Sequence, residues 1–190
     1  MKIALFASGK GTNVENIISY FNGSKSVNIS VIYSNNKNSG AILHAKKHQI
    51  PVVLLNKEDL SNPNELVNEL NSNQIDLIVL AGFLLKLPRK FIEGFNGKII
   101  NIHPSLLPKY GGKGMYGDNI HKLVLSNKEK KTGITFHYVN DNYDEGKIIA
   151  HGDSNFFSQN GIEVVFIYAD LNISKILLFP LLLFCHGCRK

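Results

Sequence analysis

The sequence predicts an α/β fold: a doubly wound, mostly parallel sheet with helices on both faces. Two observations carry this. From the N-terminus to about residue 103, short apolar runs alternate with stretches whose apolar residues recur at helical spacing, the rhythm of strand-helix units. After about residue 130 the rhythm changes. "GITFHYV" (133–139) and "GKIIAHG" (146–152) alternate around the turn "NDNYDE", which predicts an antiparallel hairpin near residues 133–152 and a mixed sheet. A length of 190 residues suits one globular domain, 1–190.

The first apolar run, "KIALFA" (2–7), ends in Ser8-Gly9, as a buried parallel strand does. In "TNVENIISYF" Val14, Ile17, Ile18 and Phe21 share one helical face, with Thr12 or Asn13 available as a cap and Gly23 as a stop. A strand fits 27–34, a helix 40–48 and a third strand 51–55. Leu66, Val67 and Leu70 predict a helix within 62–73. The strongest strand follows, "IDLIVLAG" (75–82), then a short helix around 88–95 and a strand over 97–103.

The formal charge of +6 attracts anions of any kind, from nucleic acid to a phosphorylated small molecule. It is scattered along the chain, without interleaved aromatics or a recognisable module, so nucleic acid is not expected as a partner. The apolar part of "MKIALFASG" is too short for a signal peptide. Both cysteines, Cys185 and Cys188, lie in the last six residues, so no disulfide framework is expected and the cytoplasm is the expected compartment.

Three places have the residue types for chemistry. In "SGKGTN" (8–13), Gly9 and Gly11 let backbone amides approach an anion at a helix start, and a phosphate is the natural guest. A plain strand-to-helix turn would also call for small residues there. Asn101 and His103 sit two apart on a strand and so point to one side, at the strand end where open α/β sheets bind ligands. Pro104 and Pro108 brace the turn that follows. An amide donor beside an imidazole can hold a developing oxyanion and exchange a proton near neutral pH. In "DNYDEG" (141–146), Asp141 reads as a turn former. Asp144, if it meets His103, would favour the charged imidazolium. His44, His48, His121, His137 and His151 show no metal-ligand spacing, and no metal is expected. His137 lies on the hairpin strand, where it could line the site.

Together "SGKGTN", "LAGFLLKL" (80–87), "NIHPSLLPKY" (101–110) and "HYVNDNYDEG" (137–146) resemble the folate-dependent formyltransferases, and among them the phosphoribosylglycinamide formyltransferase family, over residues 1 to about 150. The resemblance implies a Rossmann-like fold and formyl transfer from 10-formyltetrahydrofolate, as cosubstrate, to the amine of glycinamide ribonucleotide. It implies that Gly11, Thr12 and Asn13 hold the substrate phosphate. Leu84, Leu85, Lys86 and Leu87, with Asn101, would hold the folate. Asn101, His103 and Asp144 would be the catalytic trio: Asn101 and protonated His103 steady the oxyanion while Asp144 supports His103. No metal and no membrane is implied, and a monomer or weak homodimer is expected.

Two stretches depart from the family pattern. Residues 111–132 read as a long loop covering the site, with His121 within reach of it. Residues 153–190 read as a truncated or frameshifted end, or as a divergent helix packing on the sheet, with Glu163 the substitute for a missing acidic residue. The run Ile176–Cys185 is about half a membrane span and contains Pro180, so no transmembrane helix is expected. Two other readings accompany this one: a catalytically impaired folate- or nucleotide-binding remnant, and a formyltransferase acting on methionyl-tRNA, for whose extra domain the chain lacks room.

Overall fold

The computed structural model describes residues 1–116, 118–155 and 164–168. The chain separates into two compact units, Met1–Ile100 and Asn101–Lys190. The first unit runs β1 (Lys2–Phe6), α1 (Thr12–Phe21), β2 (Asn28–Ser34), α2 (Gly40–Lys47), β3 (Val52–Leu54), α3 (Lys57–Ser61), α4 (Asn64–Ser72), β4 (Leu77–Leu80) and α5 (Arg89–Gly94). Strand β5 (Lys98–His103) carries the chain from the first unit into the second.

The strands of the first unit pair in parallel in the order β3-β2-β1-β4. That order explains their composition. Central β1 has neighbours on both sides, so Ile3, Ala4, Leu5 and Phe6 are all buried, and β4 is apolar at every position. Short β3, after Pro51, keeps an exposed Leu54. The helices bury the stripes that their spacing predicts: Val14, Ile17 and Ile18 on α1, and Leu66, Val67 and Leu70 on α4. Burying one such Leu, Ile or Val contributes about 1.5–3 kcal/mol.

Two local features differ from expectation. Helix α1 begins at Thr12, but neither Thr12 nor Asn13 caps it. The residue before it is Gly11, left-handed at φ +78°, and no side chain caps the helix. The chain enters α1 through a turn that glycine adopts at little cost, so the cap position falls to a residue without a side chain. Helix α3 is additional. Asn56 Oδ1 accepts from the N–H groups of Glu58 (2.7 Å) and Asp59 (2.9 Å), while the Asp59 carboxylate accepts from Asn56 N–H. Five residues are too few to show a helical period.

Gly11 meets a second constraint, because a Cβ there would lie 2.6 Å from Ala41 Cα and closer still to Ala41 N. Gly11→Ala is therefore expected to cost about 2–4 kcal/mol from left-handed strain plus overpacking, read as a lower denaturant midpoint. Gly9→Ala is the control, since its Cβ would meet nothing within 4 Å.

The second unit contains α6 (Asp118–Ser126), β6 (Lys131–Tyr138), β7 (Ile148–Asn155) and β8 (Val164–Tyr168). β6 and β7 form the predicted hairpin, longer than its alternating core, with Ile134 opposite Gly152 and Phe136 opposite Ala150. The 111–132 stretch is not a loop throughout, because α6 occupies its middle. Ile120 and Val124, four apart, are both buried and hold one face of α6 to the unit. The segment after residue 152 contains strand β8, antiparallel to β7, where a divergent helix was the expected alternative. Apolar, β-branched "VVFIY" has strand composition, and β7 offers it an edge to pair with. Glu163, Ile176–Cys185 and both cysteines lie outside the described residues. Among the described residues no helix is long and apolar enough to cross a membrane.

Candidate active site

In the first unit the glycine-rich loop and the 81–87 segment are laced together. Ala81 N–H donates to the Phe6 carbonyl (2.8 Å) and Ser8 N–H to the Gly82 carbonyl (3.0 Å), which extends the β1–β4 register past both strands. Ser8 Oγ then accepts from Leu84 N–H at 2.9 Å and donates to Asn35 Oδ1. Phe83 packs edge-on against buried Phe6, with ring centroids 5.4 Å apart. On the other side of the loop, Ser39 Oγ and Gly40 N–H both donate to the Gly9 carbonyl, at 2.8 and 3.0 Å. These bonds fix the loop's backbone while Gly9 and Lys10 stay exposed.

Of the residues expected to bind ligands, Gly11 is buried, Thr12 is exposed and Asn13 is half-buried at the uncapped start of α1. An uncapped helix start presents N–H groups with a positive partial charge, which suits an anion. Leu84 is 51% exposed, although it is a large apolar residue on a backbone held by Ser8. Leu85 is half-buried and Lys86 exposed. Leu87 differs: its side chain is in the core, so it can offer a ligand only its backbone.

The second unit holds the polar constellation. On β5, Ile100 and Ile102 face one side, while half-buried Asn101 and buried His103 face the other. The sequence pattern required this alternation. After Pro104, Thr135 on β6 pins the returning loop: its hydroxyl donates to the Ser105 carbonyl (2.7 Å) and accepts from Leu107 N–H (3.0 Å). The loop ends at Tyr110, left-handed at φ +58°, whose carbonyl lies 2.8 Å from His103 Nε2. A carbonyl only accepts, so Nε2 carries a proton.

Asp144 faces the other nitrogen of the same ring, with Oδ1 3.4 Å from His103 Nδ1. The two expected partners therefore meet, both with side chains at most 10% exposed. Asn101 Nδ2 donates to the same oxygen at 3.3 Å. Gly112 N–H donates to Asp144 Oδ2 at 2.8 Å. Asp144 is itself left-handed, at φ +57°, and residues held in such conformations cluster at functional sites. Asp141, read as a turn former, is exposed.

His137 completes the cluster. Its Nδ1–H donates to its neighbour's carbonyl (2.9 Å), which turns Nε2 toward Asn101 Nδ2 (3.1 Å) and Asp144 Oδ1 (3.5 Å). Gly146 allows this packing, because a Cβ there would collide with the Tyr138 carbonyl. Strand alternation had put His137 within reach of the site. The Tyr110 carbonyl and Gly112 N–H had no signal of their own beyond the "YGG" turn. His121 is exposed on α6, His151 Nδ1 lies 3.1 Å from Thr135 Oγ1, and His44 pairs with Glu15 at 3.5 Å.

Burial alone would raise the Asp144 pKa, but hydrogen bonding to His103, His137 and the Gly112 N–H outweighs it and holds the carboxyl far below the ordinary 3.8. The unfolded chain therefore takes up this proton at a higher pH than the folded chain does. Stability from Asp144 is full above about pH 5 and is lost as the pH falls below about 4 toward the depressed folded value. Denaturant midpoints measured from pH 7 down to 3 should show this acid loss, and Asp144→Asn should flatten it.

A family model described as Formyl transferase matches residues 1–164. The chain is 38% identical over 155 residues to the chloroplastic phosphoribosylglycinamide formyltransferase of Arabidopsis thaliana, covering 78% of this chain and 53% of that protein. It thus spans about half the length of that relative. It is 38% identical over 169 residues to phosphoribosylglycinamide formyltransferase of Haemophilus influenzae, covering 86% of this chain and 77% of the relative. The crystal structure of phosphoribosylglycinamide formyltransferase from Anaplasma phagocytophilum matches with a TM-score of 0.74 at 30% identity, covering 99% of this chain and 82% of that one. The fold, the polar cluster at the end of β5 and these likenesses agree: the chain belongs to the formyl transferase family.

Proposed function

We propose that this chain transfers a formyl group from 10-formyltetrahydrofolate to the amine of glycinamide ribonucleotide, a step of purine biosynthesis. The observation that carries the reading is the buried contact of His103 with Asp144, with Asn101 bonded to the same carboxylate oxygen. The folate would supply the formyl carbon, which the acceptor amine takes in exchange for a proton. Asn101 Nδ2 and the N–H groups of His103 are the donors that a formyl oxygen would draw on as it gains charge. Each faces a protein acceptor in this arrangement, Asp144 for Asn101 and Tyr110 for His103 Nε2. The oxyanion would compete with those acceptors, and catalytic hydrogen bonds tighten only when substrate is bound. Ionised Asp144 would balance charge on the ring and keep its orientation.

Gly11, Thr12 and Asn13 would present backbone N–H groups to the phosphate. Leu84, Leu85, Lys86, the backbone at Leu87 and Asn101 would hold the pterin. A sequence with no disulfide framework supports a cytoplasmic setting, and a monomer or weak homodimer goes with this reading.

The test is formyl transfer by the full chain to glycinamide ribonucleotide and to its dephosphorylated analogue. Transfer to the ribonucleotide, with KM roughly 10- to 100-fold higher for the analogue, supports the reading, because hydrogen bonds to a charged group are worth about 1.5–3 kcal/mol. Equal use of both acceptors would remove the phosphate-binding role of residues 11–13.

A further inference from the structure

The second unit contains a cleft of about 700 Å³ that the proposed reaction does not use. Such a volume suits a small organic ligand. Its walls come from the loop after β5, from α6 and from the approach to β6. The floor is apolar, with Leu106, Leu107, Pro108 and Val124. The rim is basic, with Lys109, Lys128, Lys130 and Lys131 set against Glu129, the one acidic lining residue among the described residues.

Glu129 is already committed. It accepts from Lys109 Nζ at 3.0 Å and from the Tyr110 hydroxyl at 2.9 Å. Its charge therefore cancels that of Lys109, and exposed Lys128 and Lys130 leave the cleft positive. Thr132, which also lines it, has a buried hydroxyl oxygen with no hydrogen-bond partner, a group that normally finds one. An apolar floor under a cationic rim selects an amphipathic anion.

Tyr110 connects this cleft to the polar cluster. Its hydroxyl bonds Glu129 and accepts from Asn127 Nδ2 at 2.9 Å, while its carbonyl is the acceptor for His103 Nε2. A ligand displacing the ring or Glu129 moves the backbone that orients His103.

We propose that the cleft binds a small amphipathic organic anion, an aromatic or aliphatic body carrying one carboxylate, sulfonate or phosphate, and that its occupancy is transmitted to His103 through Tyr110. Binding is independent of the formyl-transfer reading. An effect on turnover rests on that reading, so the test reads binding and the histidine ring directly.

The probe is 1-anilinonaphthalene-8-sulfonate, titrated into the full chain. Dye fluorescence reports binding, and histidine side-chain 1H–15N spectra report the ring, with His103 assigned from its loss in His103→Gln. Saturable 1:1 binding is expected, with a shifted His103 resonance at saturation. The double variant Lys128→Glu/Lys130→Glu is expected to bind roughly 10- to 100-fold more weakly. Both lysines are exposed, and Lys128 already adopts φ +51°, so the variant keeps its fold, checked by an unchanged melting curve. Equal affinity in the variant overturns the site. Tight binding with an unmoved His103 resonance overturns the coupling. Absence of formyl transfer, by contrast, would count only against the proposed function.

Discussion

His103→Ala is expected to lower the rate of formyl transfer by about 10²- to 10⁴-fold, the usual contribution of a positioned acid–base group. The loss should fall on kcat more than on KM. His103 is buried, and its two nitrogens face the Tyr110 carbonyl and the Asp144 carboxylate. The variant also leaves the Tyr110 carbonyl and one face of Asp144 without a donor. Steady-state kinetics, with a melting curve to show that the chain is folded, check this. A variant with parental kcat would remove His103 from the reaction.

Asp144→Asn is expected to act on both stability and rate. Four groups converge on the carboxylate: His103 Nδ1, His137 Nε2, Asn101 Nδ2 and Gly112 N–H. A neutral amide of the same shape offers one acceptor oxygen where there were two, and it turns N–H groups toward existing donors. Losing charge-assisted bonds at a buried site costs about 2–4 kcal/mol. In a chain of this size that corresponds to a melting temperature lower by roughly 4–16 °C. The rate should fall by about 10²-fold or more, because the ring it orients loses its partner. An unchanged melting temperature would mean that the carboxylate does not organise the cluster.

Strands β1 and β4 were legible because each is a short apolar run with buried side chains on both faces. The pairing of Asn101 with His103 was legible for an equally local reason: the period of two along a strand. Their meeting with Asp144 was not. It depends on a left-handed residue in the turn after β6 and on the Gly112 amide, and neither has a sequence period. Family resemblance supplied that residue where spacing alone could not. Helix α6 was missed because its polar flanks hid the two residues that anchor it, Ile120 and Val124. The start of α1 was read with a side-chain cap, and the left-handed Gly11 took that place instead.

His103 and Asp144 either act as one unit or contribute separately, and a double-mutant cycle on formyl transfer to glycinamide ribonucleotide decides this. The four chains are the parent, His103→Ala, Asp144→Asn and the double variant. If the buried contact is what drives the reaction, the double variant should be about as slow as the slower single variant, since groups that work through each other lose their effect only once. Rate losses that multiply would mean that the two residues act independently, and the contact between them would not be the source of catalysis.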